Sequence, residues 1–367
     1  MPNILWFNWR DITNPEAGGA EVLTHEIAKR LVSKSNYEIT LFTSYFRNSS
    51  EQEYIDGINI VRQGGKYGVY RSAKKYYEKN KSNFDLIIDE INVRPFLTPK
   101  FVNGKKPILA LIHQISPEQF LHELPFPLSY IGRYYLEKKW LSYYKEIPTI
   151  TVSSSSRKDL EELGFRKVSI IPEGLSVKPR DSLGQKEPSP TLVFIGRLKK
   201  HKLPHHALLA FSLIKKKIPS AKLWVIGDGY MRKKLETKFK VKDVTFFGWV
   251  DSELKYDLLS RAHLAMVPAI REGWALVVTE SNAMGTPVIA YDVPGLRDSV
   301  RDGHTGMLVK ENSPEGLSSS AINLLRDCNV LEQYSSNSLS FSKQFNWDIS
   351  ANIFEKKVKD VIASARQ

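Results

Sequence analysis

Short runs of β-branched and aromatic residues, apolar on both faces, alternate with helix-like stretches along the whole chain. ILWFNW, EITLFTS, FDLIID, PILALI and TITVS carry this pattern in the first half, and TLVFIG, KLWVIG, DVTFFG, HLAMV and PVIAY in the second. A run that is apolar at every position has no face for water, so it suits a central strand of a parallel sheet covered by helices on both sides. The pattern predicts two α/β domains of Rossmann-like type. A polar stretch rich in proline and glycine, VKPRDSLGQKEPSP, divides the two series and reads as a linker. The first domain is thus expected over residues 1–178 and the second over 189–346. In the last segment, Ile349, Ile353, Phe354, Val358, Val361 and Ile362 recur at helical spacing, which predicts a terminal helix over 347–367 that needs a surface to cover.

Composition sharpens this picture modestly. A chain of 367 residues, 42% apolar and 25% charged, is folded and long enough for two domains with their own cores. Its single cysteine, Cys328, excludes an intramolecular disulfide and a cysteine cluster for zinc, and fits a reducing compartment. The amino-terminal apolar stretch is too short for a signal peptide, and no run approaches the ~18 residues of a membrane span. A cytoplasmic protein is expected. The net charge of +13 is spread over both halves and suits anionic partners in general. None of the usual nucleic-acid modules is present, so nucleic acid is not expected among them.

In open α/β sheets ligands bind beyond the carboxyl ends of the strands, so the chemistry is sought there, in the cleft between two such domains. After the first strand come Gly18 and Gly19, opening an amphipathic helix. Glycines at such a junction let backbone approach a ligand, and the new helix offers free N–H groups to a phosphate, although a tight turn alone accounts for the pair equally well. After the first strand of the second half stands FIGRLKKHKLP, with Gly196, Arg197 and Lys202. A guanidinium fork and an ammonium together suit a diphosphate; a solvated basic loop is the plain alternative. His113 closes the run PILALI, where a structural histidine would serve as well.

The stretch EGWALVVTE, residues 272–280, then sets Glu272 on a loop after HLAMV and Glu280 inside the following helix. The amides of Ala275, Leu276 and Val277 fall at the helix start, a second place for an anion. Acids on both sides of a phosphate-binding turn fit a ligand with hydroxyls at both ends, as in a sugar nucleotide. Elsewhere, Ser156 and Asp159 have capping-box spacing at a helix start. The segment SYIGRYYLEKKWLSYYKE mixes tyrosines with cations, as does GGKYGVYRSAKKYYEKNK, a pattern suited either to an anionic membrane surface or to an ordinary half-buried helix.

Taken together, Gly18-Gly19-Ala20-Glu21, His113, Gly196-Arg197 with Lys202, the E-x7-E pair Glu272 and Glu280, and Met284-Gly285-Thr286-Pro287 resemble the GT-B glycosyltransferases of the large retaining family 4 over essentially the full chain. DEINVRPFLTP, residues 89–99, further resembles members that transfer hexoses in prokaryotic glycan assembly. The resemblance implies a GT-B fold, two Rossmann-like domains facing across a cleft, with the last helix returning to the first domain.

It also implies a UDP- or GDP-sugar donor and a glycan or lipid-linked sugar acceptor. Arg197 and Lys202 would hold the diphosphate, Glu280 the ribose and Glu272 the transferred sugar. Gly18, Gly19, Gly196, Gly273, Trp274, Ala275, Leu276 and Val277 would shape the donor site, and His113 would contact the sugar near the reacting carbon. The configuration of the sugar would be retained, and no cofactor or metal is expected, since Asp-x-Asp occurs nowhere. A sugar-nucleotide epimerase or hydrolase of the same fold would need the same donor site without an acceptor. One departure stands out: the family's usual Glu-Gly-Phe-Gly is here Glu272-Gly273-Trp274-Ala275, and the extra methyl is accommodated only if the backbone at 275 is helical.

Overall fold

The computed structural model describes residues 1–115, 117–123 and 125–365. The first sheet contains β1 (Asn3–Phe7), β2 (Glu38–Thr43), β3 (Gln52–Ile55), β4 (Ile58–Arg62), β5 (Leu86–Ile91), β6 (Ile108–Ile112), β7 (Thr149–Thr151) and β8 (Val168–Ile170), in the order β3-β4-β2-β1-β5-β6-β7-β8. Every pairing is parallel except the β3–β4 hairpin. The second sheet contains β9 (Thr191–Ile195), β10 (Lys222–Ile226), β11 (Val244–Gly248), β12 (Leu264–Val267), β13 (Val288–Tyr291) and β14 (Gly306–Val309), all parallel in the order β11-β10-β9-β12-β13-β14. In both sheets the order reverses beside the first strand of the series, the place where helices on opposite faces leave the strand ends open.

The chain forms two compact units, residues 1–117 with 130–174 and 346–367, and residues 118–129 with 175–345. This differs from the division read from the sequence in two respects. The twelve residues 118–129, inserted between β6 and β7, group with the second unit. The polar stretch after Gly174 is no free tether: Arg180 N–H bonds to Ala283 O at 3.0 Å, and Lys186 Nζ donates to Ala262 O, Gly285 O and Thr286 Oγ1 at 2.8–3.0 Å. Polar composition marks a boundary, but amides and ammonium groups still take acceptors where a surface offers them.

The terminal helix, Trp347–Ser364, packs on the first unit, where Phe354 stacks on Trp6 with ring centres 5.2 Å apart. Its buried face is Trp347, Ser350, Ala351, Phe354, Val358, Val361 and Ile362. Ile349 and Ile353, placed on that face by spacing alone, stand exposed instead. Ser153, not Ser156, caps the helix Ser154–Glu162, its Oγ accepting from Ser156 N–H at 3.1 Å. The tyrosine-rich segment is a helical run of changing pitch over 128–144 in which Tyr144 is buried and Tyr130, Tyr134, Tyr135 and Tyr143 face water.

Candidate functional site

In the first unit the predicted residues gather at the carboxyl ends of β1, β5 and β6. Gly18 precedes the helix Gly19–Ser35 in extended conformation (φ −146°), and its N–H donates to the carboxylate of Glu21 at 2.6 Å. That amide, expected to be open to a ligand, is thus engaged by the chain's own acid three residues on, a capping arrangement that orders the turn. His113 lies just past β6 and is nearly buried, its Nε2 2.9 Å from Glu90 Oε1.

Glu90 is fully buried on β5, and its other oxygen accepts from Trp6 Nε1 at 2.9 Å and Thr24 Oγ1 at 2.5 Å. Burial alone would lower the pKa of His113, but the hydrogen bond and charge of Glu90 outweigh it, and the net direction is upward. Glu173, three residues past β8, is buried with Oε2 unpartnered. Burial pushes its carboxyl up to about 7, opposed by His113 and assisted by Glu90. Sequence reasoning missed both acids: Glu90 sits in an apolar strand, and nothing local marks Glu173.

In the second unit Arg197 and Lys202 occupy the loop after β9. The flanks of Arg197 are fixed by the neighbouring strand end, Gly196 N–H to Ile226 O at 3.0 Å and Leu198 N–H to Asp228 O at 2.8 Å. Gly227, at φ 121°, must be glycine here, since a Cβ would stand 2.2 Å from Gly196 O. Arg197 makes no ion pair among the described residues. Lys202 Nζ pairs with Glu272 Oε1, and Glu272 is held from behind by its N–H to Pro294 O at 3.1 Å. Gly295, at φ 81°, permits this approach, for a Cβ would lie 2.1 Å from Glu272 O.

Glu280 lies in the helix Leu276–Ala283, where its Oε1 accepts from Lys255 Nζ at 2.8 Å and Tyr256 OH at 3.1 Å. The amides of Leu276 and Val277 open this helix, which has no side-chain cap, so its first turn offers N–H groups with no intrahelical acceptor. Ala275, the residue before it, has φ 72° and ψ 79°. The helical backbone that would have eased its methyl is therefore absent; this is a left-handed alanine, at a cost of about 1–2 kcal/mol. The Trp274 ring packs edge-to-face on Phe345 with centres 5.6 Å apart, and its Nε1 is buried without a partner. Gly273 links Glu272 to this tryptophan. The second unit thus assembles Gly196, Arg197, Lys202, Glu272, Glu280 and the helix start; His113, Gly18 and Gly19 belong to the first.

Comparison with known proteins gives the family and the fold. The family model for "Glycosyl transferases group 1" matches residues 178–340, and that for "Glycosyltransferase Family 4" matches residues 17–178. A protein described as an uncharacterized glycosyltransferase from Methanocaldococcus jannaschii is 23% identical, over 93% of this chain and 95% of its own. Sucrose-phosphate synthase from Thermosynechococcus elongatus superimposes with a TM-score of 0.81 at 19% identity, covering 99% of this chain and 100% of that one. Anabaena HepE, solved in complex with UDP and glucose, gives a TM-score of 0.71 at 17% identity over 98% of this chain and all of its own.

Proposed function

Because this chain belongs to the group 1, family 4 glycosyltransferases and has their GT-B fold, we propose that it moves a hexose, with retention of configuration, from a nucleoside-diphosphate sugar to a glycan or lipid-linked acceptor at the cytosolic membrane face. One observation carries this reading: Arg197, with no ion pair among the described residues, and Lys202 lie on the same loop, with Lys202 paired to the first acid of the E-x7-E motif. The cations neutralise the diphosphate as it leaves, and preorganised charge of this kind is the largest source of stabilisation when a charged group departs. Glu280 takes ribose hydroxyls through Oε2, since Oε1 is occupied by Lys255 and Tyr256. Glu272 takes the hydroxyls of the sugar once Lys202 turns to phosphate. His113, held through Nε2 by Glu90, contacts the sugar near the reacting carbon. The cationic side chains make a divalent ion dispensable. A UDP-bound structural relative supports a nucleotide donor.

A membrane-borne acceptor is supported by the surface of the first unit. Tyr67, Tyr130, Tyr134 and Tyr135 are exposed, among Lys66, Arg71, Lys74, Lys75, Lys138 and Lys139. Arg94 joins the two stretches, its guanidinium 4.2 Å from the Tyr70 ring centre and 5.9 Å from that of Trp140. Rings that tolerate an interface beside cations suit an anionic bilayer. No helix among the described residues is long and apolar enough to cross a membrane.

The test is to incubate the protein with a panel of UDP- and GDP-hexoses, with and without a lipid-extract acceptor and with EDTA, and to assign the product's anomeric configuration by NMR. Acceptor-dependent transfer with retention, undiminished by EDTA, is expected. Donor turnover at the same rate without acceptor, or an inverted product, contradicts the reading.

A further inference from the structure

Two carboxylates of one short helix hold the residues that precede the two members of the Lys202–Glu272 pair. The helix Pro117–Glu123 follows β6 and His113 in sequence, and residues 118–129 belong to the second unit. Glu118 pairs with Arg271 at 2.9 Å, one residue before Glu272. Glu123 does more. Its Oε1 accepts from His201 N–H at 3.2 Å and from the His201 ring at Nδ1 at 2.7 Å, one residue before Lys202. Its Oε2 accepts from Tyr230 OH at 2.7 Å, and that hydroxyl oxygen in turn accepts from Lys200 N–H at 2.9 Å. One carboxylate therefore ties down two consecutive amides and the ring of a three-residue turn whose next side chain is Lys202.

We infer that Glu123, with Glu118, is a positioning residue of the donor site: it braces the Lys200–Lys202 turn so that the Lys202 ammonium meets the donor diphosphate in one geometry. This rests on the proposed role of Lys202. The protonation states agree with it. Burial lowers the pKa of His201, helped by Lys202 and opposed by Glu123. Burial raises that of Glu123, but the His201 and Tyr230 hydrogen bonds outweigh it and bring it below the ordinary carboxylate value. At neutral pH the ring is thus neutral with its proton on Nδ1, given to an ionised Glu123. The acid braces the turn through His201 and Tyr230, without touching the diphosphate. A turn held by its amides loses little freedom on binding, which is how preorganisation raises affinity.

The test uses the full chain as wild type, Glu123→Ala, Glu123→Gln, Glu118→Ala/Glu123→Ala and, as a control, Glu161→Ala, which removes an exposed intrahelical pair with Arg157 elsewhere. Hydrogen exchange of the Lys200 and His201 amides, UDP and GDP affinity by calorimetry, and the donor KM against kcat are read for each. Both amides should exchange at least ~10-fold faster in Glu123→Ala. Affinity for the nucleotide that wild type prefers should fall about 10-fold, KM should rise more than kcat falls, and Glu123→Gln should lie between, since an amide keeps one acceptor and loses the other. Unchanged protection of these amides in both single variants overturns the brace even if no nucleotide binds. Lost protection with unchanged nucleotide affinity overturns the positioning role. Wild type that binds neither UDP nor GDP, with the amides deprotected in Glu123→Ala, overturns the proposed function and the positioning role that rests on it, leaving the brace a structural contact.

Discussion

Glu90 in the first unit, the acid that holds His113, and Glu280 in the second are both glutamates of the candidate site, yet their surroundings differ. Glu90 has no exposed surface and is saturated by three side-chain donors, Trp6, Thr24 and His113. Glu280 and Glu272 lie near the surface, each paired with a lysine, and each of these four side chains retains between 11% and 23% of its exposure. A lysine–carboxylate pair that keeps some contact with water can exchange its partner for a ligand more readily than a sealed one. A fully buried acceptor with three donors is not so exchanged, because every donor is stranded when it goes. The first unit thus presents a fixed histidine, and the second presents charges that a ligand can rearrange.

The largest effect that would break this contrast comes from Glu90→Ala. It should lose about 3–5 kcal/mol of stability in urea titration, whereas Lys255→Ala should lose about 1–2 kcal/mol, because Glu280 keeps the Tyr256 hydrogen bond and some water; equal losses would erase the distinction. Next is Glu173. Its carboxyl is raised to about 7 from an ordinary 4.5, so the fold holds a proton that the unfolded chain has already released. Stability from this group is therefore full below about pH 4.5 and falls as pH rises to about 7, by roughly 3 kcal/mol in all. Glu173→Gln should remove that slope and be the more stable protein at pH 8 by a similar amount, seen as parallel urea curves at pH 5 and pH 8.

How much of this was legible in the sequence follows from the range of the interactions. Strand runs apolar on both faces announced β1, β2, β5, β6, β7 and most of the second sheet, because burial on two faces is written in every residue. The β3–β4 hairpin escaped: β3 is exposed along most of its length and has no such signature. Among site residues, Arg197, Lys202, Glu272 and Glu280 were named because a family pattern repeats them at fixed spacing. Glu90, Glu173 and Glu123 were not, since their importance arises from partners 20 to 110 residues away that only folding brings together.

Ala275 lies between these cases. The departure from glycine was visible, but its left-handed backbone was not. Ala275→Gly should relieve about 1–2 kcal/mol of strain and restore about 0.5–1 kcal/mol of unfolded-chain entropy, for a net gain of roughly 0.5 kcal/mol in the same titration. A loss instead would mean that the methyl packs favourably at the helix start, and the loop of the second unit would then be less adaptable than its ion pairs suggest.

The central claim is that the second unit cradles a nucleoside diphosphate between Arg197 and Glu280. Calorimetric titration of UDP and GDP into wild type, Arg197→Ala and Glu280→Ala tests it most directly. One nucleotide should bind wild type and lose about 10-fold or more in each variant, with the Arg197→Ala loss shrinking in high salt, where ionic contacts are screened. Binding of neither nucleotide, or equal affinity in all three proteins, would contradict the account.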